Sequence, residues 1–194
     1  MSEFHIYEYI ESQQEYLVNL EAMWKDPMVQ LYNDEKLPPE DGLPSVFLNG
    51  PTSRRQIPEL NHRCLSVKYL REAGFTGWIF APEPRGRGVA GDFTERGPIY
   101  EWESSRRFTA TCNSFWVPRD KGELLGLNTN FEWGFNTAQA MFDPTFRENG
   151  KFMVVGWPEH AERMGLPKHY SEGANIPIFG NQRSMCKHIA MILK

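Results

Sequence analysis

The heptapeptide Asn128-Thr129-Asn130-Phe131-Glu132-Trp133-Gly134 comes a short polar loop after the apolar run Ser114-Phe115-Trp116-Val117-Pro118. That order mounts the Glu132 carboxylate at a strand-to-helix turn. In an open α/β sheet, ligands bind in the crevice at the carboxyl ends of the strands, and a helix starting there points free N–H groups into it. In the first turn, the helix field keeps Glu132 ionised. An ionised, pre-positioned carboxylate is what covalent catalysis at a sugar carbon requires, because it accepts the glycosyl unit while the leaving group departs. For Glu132 taken alone, a plainer reading stands beside this one: a Glu that complements the helix dipole or closes a capping box.

Two further loops leave strand ends and must converge on the same crevice. One spans residues 49–55; the other spans 82–98 and runs into the helix start Glu101-Trp102-Glu103. With the 119–132 loop they bring carboxylates, the amides of Asn49, Asn128 and Asn130, small hydroxyl donors, aromatics such as Trp102, and several arginines. That inventory suits a sugar carrying a flat base. Carboxylates hold sugar hydroxyls or exchange protons with the leaving base, an aromatic ring stacks on it, and Gly50 lets a ligand approach the backbone. Ser53, Arg54 and Arg55 offer a place for a 5′-phosphate. Bland readings remain open here too: Asn49-Gly50-Pro51 as an ordinary turn, Glu101 and Glu103 as solvated charges, and Arg85, Arg87 and Arg96 as a solvated loop face. The five histidines show no metal-ligand spacing, and Gly86-Arg87-Gly88 precedes no helix, so neither metal nor cofactor is expected.

The elements that position these loops follow from short apolar runs alternating with helical patterns. Strands are expected at 45–48, 77–81, 112–117, 151–156 and, weakly, 176–179. Helices are expected at 62–73, 99–109, from the Glu132 turn to about 142, at 159–164 and at 182–193. In the Glu132 helix, Phe131, Phe135, Ala138 and Phe142 fall at helical offsets and are expected to face the sheet. The alternation predicts an α/β three-layer sandwich on a parallel sheet of about five strands. Residues 1–44, polar and then broken by prolines, read as an appended arm before a single domain at 45–194.

The chain has 194 residues, 40% of them hydrophobic and 13% aromatic, enough for one good core. Its net charge of -4 and scattered basic residues disfavour a nucleic-acid polymer as partner. Three widely spaced cysteines argue against a disulfide framework, and no apolar run is long enough to span a bilayer. A cytoplasmic protein acting on a small molecule, with no membrane partner, is the expectation.

Six blocks in order carry a resemblance: Val46-Phe47-Leu48-Asn49-Gly50-Pro51-Thr52, Leu70-Arg71-Glu72-Ala73-Gly74-Phe75, Phe80-Ala81-Pro82-Glu83-Pro84-Arg85, Tyr100-Glu101-Trp102-Glu103, Phe115-Trp116-Val117-Pro118-Arg119-Asp120 and the Asn128–Gly134 heptapeptide. Together they resemble the nucleoside 2-deoxyribosyltransferase-like family over residues 45–165, closest to its bacterial and phage branch. The resemblance implies a flavodoxin-like fold and an enzyme that transfers a 2-deoxyribosyl group between bases or hydrolyses the N-glycosidic bond of a nucleoside or nucleoside monophosphate. It implies Glu132 as nucleophile with Gly134 following it, Glu103 as the acid that orients the sugar and handles the proton, and Asn49, Gly50 and Pro51 as the turn that holds sugar or base. It also implies a homodimer or larger homo-oligomer, with a neighbouring subunit completing the site; Asn175 and Asn181 are candidates for that part. Where well-studied transferases carry a loop Asp, this chain has Gly126-Leu127-Asn128. That departure keeps a second function in view, a non-catalytic protein that binds or sequesters a nucleotide on the same fold.

Overall fold

The structure, a computed structural model, describes residues 17–32, 41–52, 62–83, 97–119 and 124–194. A helix over residues 17–25 (α1) leads into β1 (Val29–Leu31), followed by β2 (Ser45–Asn49), α2 (Arg63–Glu72), β3 (Trp78–Ala81), α3 (Gly97–Thr109) and β4 (Cys112–Trp116). Then come α4 (Leu127–Phe142), α5 (Pro144–Glu148), β5 (Phe152–Gly156), α6 (Gly165–Gly173), β6 (Ile178–Phe179) and α7 (Gln182–Ile192). The six strands form one sheet in the order β1-β3-β2-β4-β5-β6, and every pairing is parallel. From β2 onward this is the flavodoxin-like order, which reverses between β2 and β4. The fold is therefore the expected α/β three-layer sandwich.

Alternation along the strands divides the core into two layers. Val46, Leu48, Cys112, Trp116 and Val154 join α1, α2 and α7 in one cluster. Phe115, Met153 and Val155 join Trp133 of α4 in another, and Phe47 and Phe80 form a third with Ala110 beside Trp102. Successive side chains of a strand point to opposite faces, and in a sheet covered on both faces every one of them is buried, as along Ser45–Asn49, whose middle three residues are apolar. Across one covered face, Gln182 Nε2 donates to His62 O at 2.7 Å and to Ser66 Oγ at 2.8 Å, tying α7 to the start of α2.

Four expectations are corrected. The described part of the segment read as an arm is built into the domain: β1 pairs with β3, and Leu20, Met23, Val29 and Leu31 lie in the main core. The polar residues around these apolar positions masked a short edge strand. Residues 159–164 form turns, and the helix there is α6, beginning at Gly165. The stripe on α4 faces the other way, with Phe131 80% and Phe142 77% exposed. The buried face is Thr129, Trp133, Asn136, Thr137 and Ala140, so small and polar residues beside one Trp take the place against the sheet. Lastly, α4 starts at Leu127, after Gly126 in the left-handed conformation at φ 63°. Glu132 therefore lies beyond the first turn, where the helix field has faded.

Candidate functional site

The loops leaving β2 and β3 meet α3 and the start of α4 at the switch point between β2 and β4. They enclose a cavity of about 480 Å³ whose wall includes Asn49, Pro51, Tyr100, Glu103, Arg107 and Glu132. This volume is in the range of small-molecule sites. Two carboxylates and two guanidiniums, those of Arg63 and Arg107, face the same space.

Arg107 organises the site. Its Nη2 donates to Glu132 Oε1 at 2.7 Å and lies 4.0 Å from Glu103 Oε2, while its Nε donates to Asn49 Oδ1 at 3.0 Å. The guanidinium also sits 5.3 Å from the centre of the Phe47 ring, within cation–π range. Asn49 is buried and holds its amide between two strands: its Nδ2 lies 3.4 Å from Asn113 Oδ1 and from Ser114 O. Asn113 Nδ2 in turn donates to the carbonyl of Arg107 at 3.1 Å. The position of Glu132 is thus set from the ends of β2 and β4 through one arginine.

The two acids differ in character. Burial pushes the Glu103 carboxyl up to about 7, with the neighbouring Glu132 charge adding to the rise and Arg107 opposing it. Burial also raises the Glu132 carboxyl, opposed by Arg107 and Arg63 and by the Arg107 hydrogen bond. Burial and the neighbouring charge thus favour the protonated form at Glu103, while the cation beside Glu132 favours the charged form there.

Arg63 fixes the loop after β2. It donates to Gly50 O at 2.7 Å, Leu48 O at 3.2 Å and Thr52 Oγ1 at 3.4 Å, and pairs with Glu83 Oε1 at 3.1 Å, both side chains being buried. Gly50 is required here by the protein itself. At φ 147° its added Cβ would come 2.4 Å from both His62 Cε1 and Trp116 O. The imidazole of His62, buried and close to Arg63, is held well below its usual pKa and is neutral. At Gly126, an added Cβ would come 3.1 Å from Pro51 Cβ, so the start of α4 is seated against the β2 loop.

Of the residues singled out from sequence, Asn49, Gly50, Pro51, Glu103, Asn128 and Glu132 meet at this cavity. Glu101 is exposed and off the wall, and Trp102 packs against Phe47 and Tyr32 with ring centres 6.1 and 6.0 Å apart. Asn130 and Gly134 line a different cavity on another face of α4. Ser53, Arg54 and Arg55 lie outside the described residues, as do Arg85, Arg87 and Arg96. Arg107, Arg63, Tyr100 and Thr129 were not anticipated, although Glu103 and Arg107 stand at i, i+4 on one helix, the spacing of an ion pair.

The three cysteines are free and buried, and burial pushes the Cys64 and Cys186 thiols up to about 12, so they are not nucleophiles. Among the described residues there is no cluster of acids, histidines or cysteines that would hold a metal ion, and no helix is long and apolar enough to cross a membrane. No family model matches the chain, and no curated protein matches it.

Proposed function

We propose that the protein cleaves or transfers the N-glycosidic bond of a nucleoside or nucleoside monophosphate through Glu132. The observation that carries this reading is the pairing of two unlike carboxylates at one cavity, Glu132 held by Arg107 and Glu103 protonated up to about 7. Glu132 Oε attacks C1′, the C1′–N bond breaks, and the base nitrogen takes its proton from Glu103. Water or a second base then attacks C1′, gives its proton to the Glu103 carboxylate, and frees Glu132. Two displacements at one carbon retain configuration. Tyr100 on the cavity wall offers a ring for the base.

The protein works in this reading as a homodimer or larger homo-oligomer. Support comes from the outward stripe: Leu127, Phe131 and Phe135 of α4 and Phe108 of α3 are exposed large apolar side chains, Leu127 on the cavity wall and Phe108 against Phe135 with ring centres 5.6 Å apart. Contiguous apolar surface of that kind marks interaction sites.

One observation favours the alternative, a protein that binds a nucleotide without turning it over: the 2.7 Å ion pair occupies an oxygen of the nucleophile. The test is to incubate the pure protein with deoxynucleosides, their monophosphates and a second free base, and to follow released or exchanged base by chromatography. Turnover that disappears in Glu132→Gln is expected. Saturable binding without turnover would assign the binding role.

A further inference from the structure

On the face of α4 away from that site, a second cavity of about 530 Å³ opens between α4 and α6. Its wall is mostly apolar, with Trp133, Met141, Leu166 and Tyr170 among its side chains, and among the described residues no Asp or Glu lines it. Two features do not fit a bare apolar groove. Arg119, only 5% exposed, lines it; among the described residues its buried Nε has no hydrogen-bond partner and no carboxylate pairs with it. Its Nη2 donates to Asn130 Oδ1, a neutral partner. Thr137 Oγ1 on the same wall is likewise buried without a partner.

A buried cation without a counter-charge is costly, as is a buried hydroxyl without a partner. Arg163, with φ 55°, adds a second positive charge to the wall. Gly134 contributes to the openness: it sits inside a 16-residue helix, where glycine is a poor residue, and an added Cβ would meet nothing within 4 Å. The wall thus combines an apolar body with unpaired positive charge.

We infer that this groove binds a small amphipathic anion, a compact hydrocarbon or aromatic body with one carboxylate that pairs with Arg119. A carboxylate matches the guanidinium fork in charge and geometry, and the apolar body covers the Trp133, Met141 and Leu166 surface. The ligand is distinct from the nucleoside of the first cavity, and the inference does not depend on that activity.

Octanoate is the probe, titrated against the full chain with tryptophan fluorescence as readout, and octanamide is its neutral counterpart. Octanoate is expected to saturate, and octanamide to bind at least about tenfold more weakly, because it lacks the charge Arg119 requires. Arg119→Met is expected to erase that difference. Ala138→Phe, at an exposed wall position, is expected to block the groove and abolish the octanoate titration while circular dichroism keeps the wild-type melting profile. Equal binding of the two probes, absence of any octanoate titration, or an Ala138→Phe titration like wild type would overturn the assignment. So would a wild-type dimer that Ala138→Phe converts to monomer in sedimentation, which would give the groove to a second copy.

Discussion

Arg107 Nη2 stands 2.7 Å from Glu132 Oε1, and this contact, rather than the start of α4, sets the charge of the carboxylate. Glu132 is carried more than a turn into the helix, and burial pushes its carboxyl up. The cation that opposes neutralisation is anchored by Asn49, at the end of the central strand β2.

Removing that cation moves both acids in one direction. In Arg107→Met, Glu132 and Glu103 lose the charge that opposes their burial, so both titrate at higher pH than in wild type. Base release at pH 7 is expected to fall by roughly 10- to 100-fold, with the whole bell-shaped pH–rate profile displaced to the alkaline side. A profile that falls in height without moving would show that Arg107 acts on something other than these two groups.

Stability carries a related signature. The Glu103 carboxyl titrates near 7 in the folded chain and near 4.5 when unfolded, so between those values the folded state holds a proton that the unfolded state has released. Stability from this group is therefore complete below about pH 4.5 and is lost as pH rises through about 7, by up to about 3 kcal/mol. Glu103→Gln is expected to melt above wild type at pH 8 and close to it at pH 5. Parallel melting curves across that range would remove the raised pKa.

Two glycines are expected to respond with opposite signs. At Gly50 an alanine would adopt a disfavoured φ of 147° and push its Cβ to 2.4 Å from the Trp116 carbonyl, which cannot rotate away. Gly50→Ala should lose more than about 3 kcal/mol. Gly134→Ala, with open space around the added methyl, should gain about 0.5–1 kcal/mol in denaturant unfolding.

The orientation of α4 is tested by a similar contrast. Phe131→Ser, at an exposed position, should change monomer stability by no more than about 0.5 kcal/mol, whereas Trp133→Ala, buried against Phe115 with ring centres 5.9 Å apart, should cost about 3–5 kcal/mol. Reversed magnitudes in urea melts would restore the face that periodicity suggests.

The fold was legible in sequence wherever one residue run carried one signal. The runs at 45–49, 112–116 and 152–156 are mostly apolar because both sheet faces are covered, with a few small polar residues such as Asn49 and Asn113 buried among them, and each is a central strand. β1 was not legible: three residues at an edge give too short a run, and their partner β3 lies some fifty positions away. The α4 stripe was misread because periodicity reports that a helix has an apolar face, not what that face meets. Glu132, Glu103 and Asn49, singled out by residue type, order and the resemblance, line one cavity, but Arg107 beside them was not singled out. Its role depends on side chains from β2 and α4 that only the folded sheet brings within reach.

The place of β1 in the sheet also bears on how the chain can be divided. A fragment beginning at residue 45 would strip Leu20, Met23, Val29 and Leu31 from the side of Ile79 and leave the outer backbone of β3 with nothing to bond. Bare strand margins of that kind recruit other chains. Trimming the protein to residues 45–194 would therefore produce a sticky remnant instead of a smaller stable unit.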